Sequence, residues 1–115
     1  EIPCPPDPDC STTPIDKRNV IPVRVDRHAI ADPPCVSVKR GNSTIVWQGD
    51  ADVARLVIRF KDEGKPRPDD PECEGSTCTL EKAKQATKGA FPYEITVERT
   101  DGTTKTCDPK LIINP

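Results

Sequence analysis

The sequence predicts an all-β fold, a Greek-key sandwich of two sheets with one short helix and an extended proline-rich arm at the N-terminus. Three observations carry this expectation. Short segments such as VIPVRV and FPYEITV alternate apolar and polar residues with the period of a half-buried strand. Turn-forming Gly, Pro, Asn and Asp separate them at roughly 8–12-residue spacing, the rhythm of a sandwich rather than of βαβ units. Only 33% of the 115 residues are hydrophobic and 3% aromatic, so the core is thin and aliphatic, and the six cysteines supplement it.

The chain divides into an arm, residues 1–18, and a sandwich domain, residues 19–115. Five of the 14 prolines lie in the arm. Each fixes φ and removes a donor, which predicts an extended or polyproline-like course. In NVIPVRVD, Ile21, Val23 and Val25 share one face, and Pro22 places the strand on an edge or at a bulge. CVSVKR and STIVWQ are expected to pair as a hairpin about Gly41-Asn42. In ARLVIRF, Leu56, Ile58 and Phe60 point one way.

Residues 61–79, KDEGKPRPDDPECEGSTCT, read as a long polar loop pinned by its two cysteines. A short helix is expected next, with Leu80, Ala83 and Thr87 on one side and Gly89 as its cap. FPYEITVER then sets Phe91, Tyr93, Ile95 and Val97 on one face, TDGT turns the chain, and KTCDPKLIINP supplies the last strand.

Charge excludes some partners. The 17 Lys and Arg against 19 Asp and Glu leave a net charge of -2 with the signs interspersed. No basic stripe is visible for nucleic acid or an anionic membrane to find. No apolar run reaches the length of a membrane span. The chain begins at Glu1 and contains no Met, which we read as an end left by cleavage of an exported precursor, so the expected localisation is secreted or cell-surface.

Cys4, Cys10, Cys35, Cys73, Cys78 and Cys107 are an even set in a small domain, the usage of a disulfide framework. Loop closure favours near neighbours, so Cys4–Cys10 and Cys73–Cys78 are preferred, leaving Cys35–Cys107 as the long staple. That staple would stabilise the fold by roughly 4 kcal/mol in the chain-entropy account. Zinc is the competing use of thiols, but the spacings lack a second knuckle-like pair to match Cys73 and Cys78.

VSVKRG leads into a tryptophan strand that closes on an acidic turn, IVWQGDAD. A loop with a short helix, the FPYEITV strand and a last strand behind a cysteine, CDPKLIINP, follow. This order, over about residues 34–115, resembles the cupredoxin family, Greek-key sandwiches related in architecture to immunoglobulin domains. The resemblance implies a type 1 copper site of two imidazoles, a thiolate and a weak axial thioether. The first imidazole would fall where this chain reads Ala51-Asp52-Val53. Cys107 is followed by Asp108, Pro109, Lys110 and Leu111, with neither His nor Met, and His28 precedes the matching segment. Cys107 alone matches, so no copper and no other cofactor is expected. The same shell also resembles small exported bacterial domains that end in DP-x-I-I.

Individual residues carry paired readings. Trp47 and Tyr93 are either ligand-stacking rings or core, and their alternating strands favour core. His28 is either a titrating group or a surface residue beside Arg27 and Asp32. Asp69, Asp70, Glu72 and Glu74 offer carboxylates to calcium, though not at EF-hand spacing, and otherwise form a solvated acidic loop; Asp7 and Asp9 repeat this weakly. Asn42-Ser43-Thr44 is an N-glycosylation sequon at an expected turn, where Gly-Asn also suits a turn needing positive φ. Ser11-Thr12-Thr13-Pro14 is a site for O-linked sugar on similar grounds. With one histidine and no G-x-S-x-G turn, an enzyme is not expected.

Two functions follow. The first is a structural subunit of an extracellular assembly, its partner another protein and chiefly itself. The arm, through Ile2, Ile15, Val20, Ile21 and Val23, would add a strand to a neighbour's sheet edge. Head-to-tail addition does not close and gives filaments, with Cys4 or Cys10 free to cross-link subunits. The second is a monomeric secreted recognition module, protease-inhibitor-like, that uses loop 61–79 as a preorganised contact surface.

Overall fold

Apolar residues at every second position make strands here because successive side chains point to opposite faces of the pleat. In the computed structural model, which describes residues 2–6, 9–61, 66–85 and 87–115, ten strands form. They are β1 (Val20–Val25), β2 (Ala31–Asp32), β3 (Cys35–Lys39), β4 (Thr44–Gly49) and β5 (Val53–Phe60). After them come β6 (Glu72–Glu74), β7 (Thr77–Leu80), β8 (Gly89–Arg99), β9 (Thr104–Cys107) and β10 (Lys110–Asn114). One sheet runs β2-β1-β4-β7-β6. The other runs β3-β10-β8-β5, with β9 on β8 as well. The result is an all-β two-sheet sandwich, as expected.

Both sheets are mixed. β1 lies parallel to β4 and β3 parallel to β10, while the other pairs are antiparallel. β1 buries Ile21, Val23 and Val25 and exposes Val20, Pro22 and Arg24. The carbonyls of Asn19 and Val25 accept from the N–H groups of Thr44 and Asp50, so the odd-numbered residues of β1 face β4. Pro22 therefore points to the other side. β2 reaches only Arg24 and Val25 there, so the missing donor costs no ladder bond.

β8 is the spine of the second sheet. Its whole second half pairs with β5, from Tyr93↔Phe60 to Arg99↔Val53. On its other side the first half meets β10 and the second half meets β9. The expected single last strand is thus two strands. Asp108-Pro109 interrupts it, because Pro109 has no N–H to continue a ladder.

The inner faces interlock around Trp47 and Tyr93, both fully buried. Their rings meet edge-on at 5.6 Å, and Phe60 packs edge-on against Tyr93 at 6.0 Å and Phe91 at 6.2 Å. Leu56, Ile58, Ile95, Val97 and Leu111 complete this layer, each excluded from water. Burial of each such aliphatic side chain contributes about 1.5–3 kcal/mol. Trp47 and Tyr93 are core residues, not exposed rings.

Three expectations require correction. β3 and β4 do not pair. Asn42 N–H closes a turn on the Lys39 carbonyl (3.0 Å), with Gly41 at φ 76°, but the turn carries the chain from one sheet to the other. Ser43 is buried and its hydroxyl donates to the Arg18 carbonyl, which draws the chain toward β1 and away from β3. Residues 72–80 are a β-hairpin rather than loop. Gly75 at φ 57° opens a two-residue turn between Glu74 and Thr77, and Cys78 and Leu80 alternate into the core. The expected helix over 80–87 is one 3-10 turn, Lys82–Lys84, without a side-chain cap. Leu80 ends β7 instead, Ala83 is exposed, and Gly89 begins β8. A single apolar row had too little to bury against for a full helix to form.

Candidate functional site

The six cysteines form Cys4–Cys107, Cys10–Cys35 and Cys73–Cys78, and none is free. Only the last pair is the expected one. Loop-closure reasoning treats the chain as flexible, and the arm is not. A polyproline course advances about 3.1 Å per residue, so it would set two cysteines six residues apart at roughly 19 Å. A disulfide needs Cα atoms within about 7 Å. Each arm cysteine therefore meets a partner in the sandwich, Cys107 on the inner face of β9 and Cys35 on β3.

These two bonds fix the path of the arm along the second sheet. Near β9, Lys105 Nζ donates to the Ile2 carbonyl, and the Cys4 sulfur sits 3.1 Å from the Thr106 carbonyl oxygen. Pro5 and Pro6 line a partly open, mostly apolar pocket of about 330 Å³ with Ala31, Pro34 and Pro109. Near β3, Asp16 N–H donates to the Ser37 carbonyl at 2.8 Å. Asn42 Nδ2 reaches the Lys17 carbonyl at 3.4 Å. Arg18 doubly bonds the Asp16 carboxylate, and that hydrogen bonding holds Asp16 below the usual carboxylate range. The arm covers strand edges that would otherwise pair with other chains.

Of the residues named for assembly, Ile2 (51%), Ile15 (42%) and Val20 (50%) are exposed. Ile21 and Val23 are not available for contact; they are core residues of β1.

The hairpin β6–β7 is clipped by Cys73–Cys78, directly cross-strand with Cα atoms 4.0 Å apart. Its tip is tied to both sheets. Gly49 N–H donates to Ser76 O and Leu56 N–H to Gly75 O, at 2.8 and 2.9 Å. Gln48 also bonds Ser76 and Thr77 through its side chain. Glu72, Cys73, Glu74 and Gly75 stay exposed on this held frame. Residues 62–65 of the expected contact loop lie outside the described residues, as does Asp7.

Of the four carboxylates weighed for calcium, Asp69, Asp70 and Glu72 line one pocket together with Glu81 and Lys84. Asp70 Oδ1 accepts from Phe60 N–H (2.9 Å) and Arg67 (3.0 Å), which anchors the segment to the end of β5. Glu72 and Glu74 stand on the outer face of β6, opposite Thr79 and Thr77. Among the described residues no three His, Cys, Asp or Glu side chains gather as a metal site would need. Asp9 serves its own turn by accepting from Ser11 N–H, the first residue of the Ser-Thr-Thr-Pro stretch. The Cys107 sulfur, bonded to Cys4, is not a thiolate. His28 lies in the β1–β2 turn, its backbone N–H held by Asp26 and its Nδ1 buried without a hydrogen-bond partner. Asn42 is exposed at its turn, with Thr44 half-buried.

Two residues with structural roles carried no pattern to find them by. Gln85, 1% exposed, donates to the Ser43 carbonyl at 2.6 Å and anchors the β7–β8 connection. Arg99, 8% exposed, bonds the Arg27 carbonyl at 2.7 Å and so braces the β1–β2 turn against β8. Both act through tertiary partners remote in sequence. No protein-family model matches this chain, and a search of curated proteins finds no match.

Proposed function

We propose that this chain is a non-catalytic, exported recognition module that acts as a monomer through the clipped hairpin β6–β7 and the segment leading into it. The observation that carries this reading is the Cys73–Cys78 bond across a hairpin whose tip is tied to both sheets. A frame held that way loses little entropy when a partner docks on its exposed residues. Three disulfides fit the oxidising environment of an exported protein. The pairing of every cysteine leaves no thiol nucleophile, which supports a role in contact rather than chemistry.

The sandwich is, in this reading, a cupredoxin-like shell without its metal. Support comes from the tryptophan strand, the late cysteine and the use of that cysteine's sulfur in a disulfide. A covalent glycan on Asn42 belongs to the same reading, supported by an exposed amide in a complete sequon.

The assembly reading needs an arm that can leave its own sandwich. Two intrachain disulfides oppose that, so we place it second. Sedimentation of the oxidised full chain over a range of concentrations separates the two: a monomer throughout is expected, and concentration-dependent filaments would restore the assembly reading.

A further inference from the structure

We infer that the end of the sandwich around the β3–β4 turn is a binding surface for an anionic polysaccharide. The basic residues that make it are scattered in sequence and gathered by the fold. Asn42 in that turn bonds the carbonyls of Lys39 and Lys17, and Ser43 bonds that of Arg18. Lys17, Arg18, Lys39 and Arg40 thus surround one turn, and all four are exposed. β1 and β4 begin at this end, while β7 and β10 finish there, since Leu80 pairs with Ile45 and Arg40 N–H bonds the Asn114 carbonyl. The β7–β8 connection crosses the same end, pinned by Gln85 to Ser43, and adds exposed Lys82 and Lys88. Lys84 lines a pocket with Asp69, Asp70, Glu72 and Glu81 and is left out of the surface.

Among the described residues of these segments the acids are Asp16 and Glu81, and Asp16 is bonded to Arg18. The chain as a whole is negative, so a polyanion gains only from a local concentration of cations. The four aromatic rings Trp47, Phe60, Phe91 and Tyr93 are buried, which removes the stacking platforms that single-stranded nucleic acid uses. Ile15 and Val20 are the large apolar side chains exposed nearby, less than an inserting membrane face requires. An oxidising, extracellular setting favours sulfated or uronate polysaccharides as the polyanion met. The cations of this surface lie outside the clipped hairpin, although β7 ends beside them.

The test uses the full chain, made without N-glycosylation, titrated calorimetrically with heparin at several salt concentrations. Affinity is expected to fall linearly with salt on logarithmic axes. Lys17→Gln and Lys39→Gln together should weaken binding about tenfold and flatten the slope by about 2. Arg55→Gln with Arg59→Gln, on the exposed face of β5, should change neither. No heparin binding at low salt overturns the inference, as does an equal loss in both variants. Duplex DNA or anionic lipid vesicles binding as tightly as heparin at matched charge also overturns it. The side chains replaced are exposed, and unchanged circular dichroism separates lost binding from lost folding.

Discussion

The indole N–H of Trp47 donates to the hydroxyl of Tyr93 at 3.1 Å, joining the middle strands of the two sheets inside the core. It is a polar bond in an apolar layer, so its loss leaves a buried donor unpaired. Tyr93→Phe should therefore lower unfolding free energy by about 1–3 kcal/mol. Trp47 is the sole tryptophan, so its fluorescence during urea denaturation reports the change directly.

Burial pushes the Tyr93 phenol well above its ordinary value of 10.0, with the Trp47 hydrogen bond a smaller opposing effect. A folded value raised above the unfolded one gives stability fully present below the unfolded value. That stability is lost as pH rises toward the folded one. Alkaline titration of this single-tyrosine protein should show no tyrosinate absorbance near that ordinary value while the fold persists, then a sudden appearance on unfolding. A smooth titration of the native protein at the ordinary value would contradict the buried pair.

The disulfides close segments with separations of 103, 25 and 5 residues. Chain entropy ranks their contributions at about 5, 3.5 and 2 kcal/mol. Paired Cys→Ala replacements should destabilise in that order when measured by guanidinium unfolding. A reversed order would mean that the arm contributes little to holding the sandwich.

The described residues of the arm touch β9 through Ile2 and Cys4 and β3 through Asp16. Removal of residues 1–18, with Cys35→Ser and Cys107→Ser to avoid stray thiols, should make the sandwich associate, because unpaired strand edges invite pairing. Light scattering and gel filtration would read this out. A truncated chain that stays monomeric at all concentrations would show that the arm guards nothing.

Gly75→Ala should cost about 1–2 kcal/mol, since φ is 57° there while a Cβ would meet no atom within 4 Å. The penalty is backbone strain alone. Thermal unfolding of the variant, compared with the parent, measures it.

Strand positions in β1, β4, β5 and β8 were legible because alternation is a local property, and the residues expected inward lie inward. Partnership is not local. Val36 and Ile45 each sit in a well-marked strand, yet nothing in either marks them for different sheets. Ser43, whose buried hydroxyl bonds the Arg18 carbonyl, has no sequence pattern at all. The cysteine pairing is not legible for a different reason: loop closure assumes a flexible chain, and the prolines near Cys4 stiffen the arm. Nor is the basic end legible, since Lys17 and Lys39 meet at the Asn42 turn only after folding.

The bond from Cys4 to Cys107 closes residues 4–107 into a covalent ring. A tug applied outside residues 4 and 107 crosses the ring through sulfur, so among the strands only β10, which lies beyond Cys107, bears the load. A single protease cut within the ring leaves both pieces attached. If this molecule serves at a surface under shear, its resistance resides in that one link, and a reducing agent would make it extensible.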